Sequence, residues 1–140
     1  MSKKKASPPA PAPTPEPLRK RLFPLFELKS PPLPDQVRID AGTLLSRVQD
    51  GFKLSLPISR PMRSIGKRVH ELRLSDEAGE WRIVYRIDED LILLVDAFKK
   101  TAEQTEQQDI ERSVKRLKAF DKRVAVATKA VRAQHKIRES

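Results

Sequence analysis

Residues 69–98 read VHELRLSDEAGEWRIVYRIDEDLILLVDAF, and this stretch constrains the fold more than any other. Val69–Ser75 and Glu80–Asp88 alternate apolar and polar side chains, the period of an extended strand with two unlike faces. The loop between them, Asp76-Glu77-Ala78-Gly79, has a hairpin's length, and Gly79 can supply a positive φ. Asp88-Glu89-Asp90 turns the chain again. Leu91–Phe98 is almost continuously apolar, as a central strand covered on both faces must be. The three strands form an antiparallel meander that needs cover from other elements.

That cover is legible both before and after the meander in the chain. Val37, Ala41, Leu44, Leu45 and Val48 recur at helical spacing. Asp35 is placed to cap this helix, Gly42 weakens it and is the point where it can split in two, and Asp50-Gly51 stops it. Glu106–Phe120 is a second amphipathic helix with Ile110, Val114, Leu117 and Phe120 as its apolar stripe. Leu18–Leu28 is apolar enough for a first strand, which Pro24 confines to a sheet edge. Phe52–Arg68 is irregular, a loop with a short strand at most. The expected fold is α+β, a small antiparallel sheet with helices packed on one face.

Outside this body the composition changes. Met1–Pro17 holds six of the twelve prolines and a single large apolar residue, Met1, so it reads as a disordered Pro-rich arm. Residues 18–121 form the expected domain and 122–140 a basic tail. The net charge of +10 is unevenly placed, with +5 in residues 1–22 and +4 in 121–140. Basic arms on a near-neutral body suit a polyanion partner, although basic tails also serve solubility alone. The chain has no cysteine, which excludes disulfides and thiolate metal sites. No apolar run approaches the roughly 20 residues that span a bilayer, and the N-terminus lacks the apolar core of a secretory signal. A cytoplasmic protein without a membrane partner is expected.

Alternation puts Glu71 and Arg73 opposite Leu72 and Leu74, and Arg82 and Arg86 opposite Trp81, Ile83 and Tyr85. The apolar set is the core face, and the charged residues share the other. Lys99 and Lys100 leave the neighbouring strand. This charged set has two readings. One is a ladder of ion pairs on a solvated face, worth a few tenths to about 1 kcal/mol per pair. The other is a cluster of cations that clamps phosphate around one acid. On a solvated face, Arg82 can be removed without opening a cavity. His70 points to the core face as a structural histidine, and His135 lies in the tail. The acids at 88–90 sit in a tight turn, so neither a metal nor another cofactor is expected.

Taken together, HELRL, WRIVYRID and FKKT followed by a helix ending RLKAF resemble the RelE/ParE superfamily of type II toxins, in particular its HigB-like, phage-derived branch. The resemblance covers roughly residues 22–121 and implies a microbial-RNase-like α+β domain. It implies a toxin that cuts mRNA on the ribosome without a metal, by attack of a ribose 2′-hydroxyl on the adjacent phosphate. Carried over by position, Glu71, Arg73, Arg82, Lys99 and Lys100 are the implied catalytic set, with Glu71 as the base. Arg86, Lys115 and Arg116 are the further cations expected to meet RNA. The implied partners are mRNA, the ribosome and a cognate antitoxin, a small helix-turn-helix protein. Glu106 stands where this branch commonly has proline. Two alternatives stay open: a ParE-like inhibitor of DNA gyrase without nuclease activity, and a non-toxic nucleic-acid-binding adaptor.

Overall fold

The computed structural model describes residues 19–27, 33–101 and 106–139; the N-terminal arm lies outside the described residues. The elements are β1 (Arg21–Pro24), α1 (Asp35–Gln49), β2 (Ser59–Pro61), β3 (Val69–Asp76), β4 (Gly79–Ile87), β5 (Leu91–Lys100) and α2 (Glu106–Glu139). They build one five-stranded sheet in the order β1-β5-β4-β3-β2. The meander forms as its alternation requires. Leu72 pairs with Ile83, Leu74 with Trp81, and Ile83 in turn with Ala97. At the β3–β4 turn, Asp76 Oδ1 accepts hydrogen bonds from the amides of Ala78 and Gly79 at 2.9 and 3.0 Å. Gly79 has a φ of +148°, and a side chain there would meet Lys99.

The class is α+β as expected, but two details of the expected architecture are corrected. The sheet is mixed, because β1 runs parallel to β5. As Pro24 requires, β1 is an edge strand, since its neighbour is β5 alone. The helices also lie on opposite faces. Val37, Ala41, Leu45 and Val48 of α1 pack against Leu72, Leu74, Trp81, Ile83 and Tyr85. Leu117 of α2 packs against Val69, Val84, Leu93, Val95 and Phe98 on the other side, with Ile110 and Phe120 flanking it. Alternation in β3 and β4 alone leaves their charged face open; the continuous apolar run of β5 is the sign that both faces of the sheet are covered. The apolar residues on the charged face, Val69 and Val84, are the ones α2 uses.

Each fully buried Leu, Ile or Val here contributes roughly 1.5–3 kcal/mol, so the two cores together hold the sheet between the helices. Local expectations for α1 are also revised. The helix runs unbroken through Gly42, since its buried stripe continues on both sides of that residue. Pro34 occupies the N-cap position, and Asp35 is the first helical residue, paired with Arg38. The expected stop stands, with Asp50 as C-cap and Gly51 at φ +94°. The tail beyond Phe120, open from sequence to extending the helix or fraying, extends it: α2 continues to Glu139.

Candidate active site

On the α2 side of the sheet, β3 presents Glu71 and β4 presents Arg82, and both side chains are buried. Glu71 Oε1 is the hub. Arg82 Nε lies 3.4 Å from it, and Arg60 Nε of β2 donates to it at 3.1 Å. Arg60 is there because β2 pairs antiparallel with β3, placing Arg60 directly opposite Glu71. Arg82 also donates to the Trp81 carbonyl at 3.0 Å and to Glu80 at 3.2 Å. Arg60 reaches Glu106, in the first turn of α2, at 3.3 Å. Glu71 Oε2 accepts no hydrogen bond among the described residues.

These groups line a cavity of about 70 Å³. Its walls include Arg60, Glu71, Arg82, Lys100, Glu106 and Asp109, closed from below by Met62, Val84 and Phe98. Three cations face three carboxylates, so the lining is neutral as it stands. The carboxylates differ in one decisive respect. The Glu71 and Asp109 side chains are 8% and 13% exposed, whereas Glu106 on the cavity and Glu80 beside it are 69% and 59% exposed. Exposed ion pairs are worth about 0–1 kcal/mol and exchange readily. A phosphate can therefore replace Glu106 and Glu80 on the arginines while Glu71 keeps the two guanidiniums side by side.

The sequence-expected residues separate into groups. Glu71, Arg82 and Lys100 meet at the cavity. Arg73 shares their face and sits directly opposite Arg82, half-buried and without an ion pair among the described residues. Lys99 points to the other face, where its Nζ lies 5.8 Å from the Trp81 ring centre. Arg82 is 3% exposed, so the expectation that its loss opens no cavity is overturned: α2 covers the face that alternation alone leaves to solvent.

Arg86 and Arg116 hold the structure together. Arg86 makes two-pronged contacts with Asp88 and Asp121, all between 2.8 and 2.9 Å. Hydrogen bonds to Asp121, and then to Asp88, keep its guanidinium protonated far beyond its ordinary range. The same bonds hold the Asp121 carboxyl below its ordinary value. Arg116 donates to Asp96 at 2.8 Å and to the Val95 carbonyl at 2.9 Å. Lys115 is exposed on the outer side of α2.

On the α1 side, His70 stacks on Tyr85 with ring centres 5.4 Å apart, and Tyr85 bonds Ser59 at 2.7 Å. Burial, and then the charge of Lys53, lower the His70 imidazole from its ordinary 6.5. Sequence reasoning missed Arg60, Glu106 and Asp109. The cue for Arg60 is weak: a three-residue strand between Pro57 and Met62 shows no alternation long enough to read.

The fold is thus an α+β body that sets a buried carboxylate between two arginines beneath a helix. Residues 31–118 match the family described as Phage derived protein Gp49-like (DUF891). The chain belongs to that family, which is part of the RelE/HigB-like toxin group. No curated protein matches the chain. Among the described residues, no helix is long and apolar enough to cross a membrane.

Proposed function

We propose that the protein is a toxin of a type II toxin–antitoxin system that cuts mRNA on the ribosome in the cytoplasm. The observation that carries this reading is the buried Glu71 carboxylate held between Arg60 and Arg82, with Lys100 on the same cavity, in a chain of the RelE/HigB-like group. Cleavage by 2′-hydroxyl attack needs a base, cations around phosphorus and a proton donor for the leaving oxygen. Glu71 takes the 2′-hydroxyl proton on Oε2 as the O2′–P bond forms. Arg60 and Arg82 balance the charge growing on the non-bridging oxygens. The P–O5′ bond breaks and the Lys100 ammonium protonates O5′, leaving a 2′,3′-cyclic phosphate and a 5′-hydroxyl. Arg73, directly opposite Arg82 on the neighbouring strand, holds the next phosphate along the RNA in this reading. The antitoxin then acts by covering this cavity with acidic side chains or by displacing α2.

Pulse labelling after induction without an antitoxin tests the reading. Protein synthesis should fall before DNA synthesis, with mRNA cut within translated regions. Replication failing first, with mRNA intact, would instead support inhibition of DNA gyrase.

A further inference from the structure

Helix α2 leaves the body at a fixed point. Leu117, the Asp96 pairs with Arg112 and Arg116, and the Arg86–Asp121 clamp fasten its first half to the sheet. From Asp121 to Arg138 every side chain is exposed, yet the helix continues to Glu139 without proline or glycine. The side that packs on the sheet ends with Leu117 and Phe120.

An exposed side of the helix, which begins beside Ile110 and Val114, carries a different pattern. Positions 115, 118, 122, 125, 129, 132 and 136 follow one another at steps of three or four, so they lie along one ridge of the helix. They are Lys115, Lys118, Lys122, Ala125, Lys129, Arg132 and Lys136. Six of the seven are cations and none is an acid. All are exposed, and none of the six cations makes an ion pair among the described residues. At 1.5 Å per residue the ridge is about 32 Å long.

From this we infer that the outer ridge of α2 is a docking surface for double-helical RNA, separate from the cavity. A stiff row of unpaired cations complements a stiff row of phosphates. The ridge has no aromatic side chain on which an unpaired base could stack, which disfavours single strands. A helix lodged in the major groove of DNA meets phosphates on both flanks. Here the flank away from the ridge is Val124, Ala127, Val131 and Gln134, with Arg123 and Arg138 the only cations off the ridge past Asp121, so most of the charge meets a backbone from one side. The deep, narrow major groove of A-form RNA admits no helix, and contact with such a duplex is made over its phosphates and 2′-hydroxyls. This inference does not depend on the chemistry at Glu71.

The test is binding of the full chain to a 20-base-pair RNA duplex, by fluorescence anisotropy across a salt series. The substitutions Lys122→Gln, Lys129→Gln, Arg132→Gln and Lys136→Gln together should weaken binding at least tenfold at about 0.1 M salt. They should also flatten the salt dependence by about 0.9 log units per lost phosphate contact. Glutamine is a good helix former, so helical circular dichroism should be unchanged. A matched pair controls for net charge: Lys129→Gln/Lys136→Gln on the ridge against Arg123→Gln/Arg138→Gln off it. The ridge pair should lose several-fold more affinity. Equal losses from the two pairs, no loss from the fourfold variant, or tighter binding to a DNA duplex of the same sequence would each overturn the inference. Binding is read without cleavage, so failure of the nuclease reading leaves this result standing.

Discussion

Replacing Arg82 by alanine should destabilise the protein by about 3 kcal/mol, a result that a solvated ion-pair ladder would not give. The Arg82 and Glu71 side chains are 4% and 8% exposed and lie 3.4 Å apart. Removing one partner of a buried pair costs about 3–5 kcal/mol, because the other charge is left behind. Arg60 remains on Glu71 at 3.1 Å and is itself partly exposed, which places the cost at the lower end. Glu71→Gln keeps the volume but takes a charged acceptor from both arginines, at about 2 kcal/mol. The double variant should cost well below the sum of the two, with a coupling of about 1.5–2 kcal/mol. Urea denaturation reads all three. With a slope of about 1–3 kcal/mol per molar, the Arg82→Ala midpoint should fall by roughly 1–3 M. Additivity within about 0.5 kcal/mol, or a cost for Arg82→Ala below about 1 kcal/mol, would show that α2 does not seal this pair from water.

Lys100→Ala should slow mRNA cleavage by about 10²-fold, the order expected for one placed catalytic group, whereas Lys99→Ala should leave it within a few-fold; single-turnover rates on translating ribosomes measure both. Glu106→Gln removes the exposed carboxylate on Arg60, so binding of inorganic phosphate or a short RNA should tighten while stability changes by less than about 1 kcal/mol. Isothermal titration on the folded variant reads this, and unchanged affinity would show that Glu106 does not occupy the anion's place. The Asp121 carboxyl is lowered from 3.8 on folding by its hydrogen bonds from Arg86, so its contribution to stability is present above that value. It is lost as the pH falls through the depressed folded value. Asp121→Asn should therefore cost about 0.5–1 kcal/mol at neutral pH, discounted for its half-exposed side chain, and nothing once the pH is below that window. Denaturation at several pH values checks this.

The meander was legible because alternation, the Asp76–Gly79 turn and the apolar run of β5 all point the same way. So was the shared face of Glu71, Arg73 and Arg82, which follows from strand parity alone. What parity cannot supply is what lies above a face. The stripe of α2 was readable, but nothing in it says on which side of the sheet it docks. The charged face therefore read as solvated when it is half a core. The bulge at Val84/Tyr85 shifts the β4–β5 register. Neighbouring Lys99 and Lys100 fall on opposite faces, as neighbours on a strand do, and only the register shows which one lines the cavity with Glu71. Arg60 escaped because its strand is three residues long and is specified by pairing with β3 rather than by its own pattern. Arg86 and Arg116 looked like free cations because Asp121 and Asp96, which tie each of them to a distant element, lie 35 and 20 residues away; Asp88, two residues from Arg86, also pairs with it.

The central claim is that Glu71, Arg82, Arg60 and Lys100 cut RNA through its own 2′-hydroxyl. The most direct measurement maps product ends on an mRNA occupying translating ribosomes, beside an mRNA with a single 2′-deoxy substitution at the cleaved nucleotide. Products ending in a 2′,3′-cyclic phosphate and a 5′-hydroxyl, with the deoxy position left intact, are what this account predicts. Cleavage at the deoxy position, or no cleavage of either mRNA by the folded protein, would contradict it.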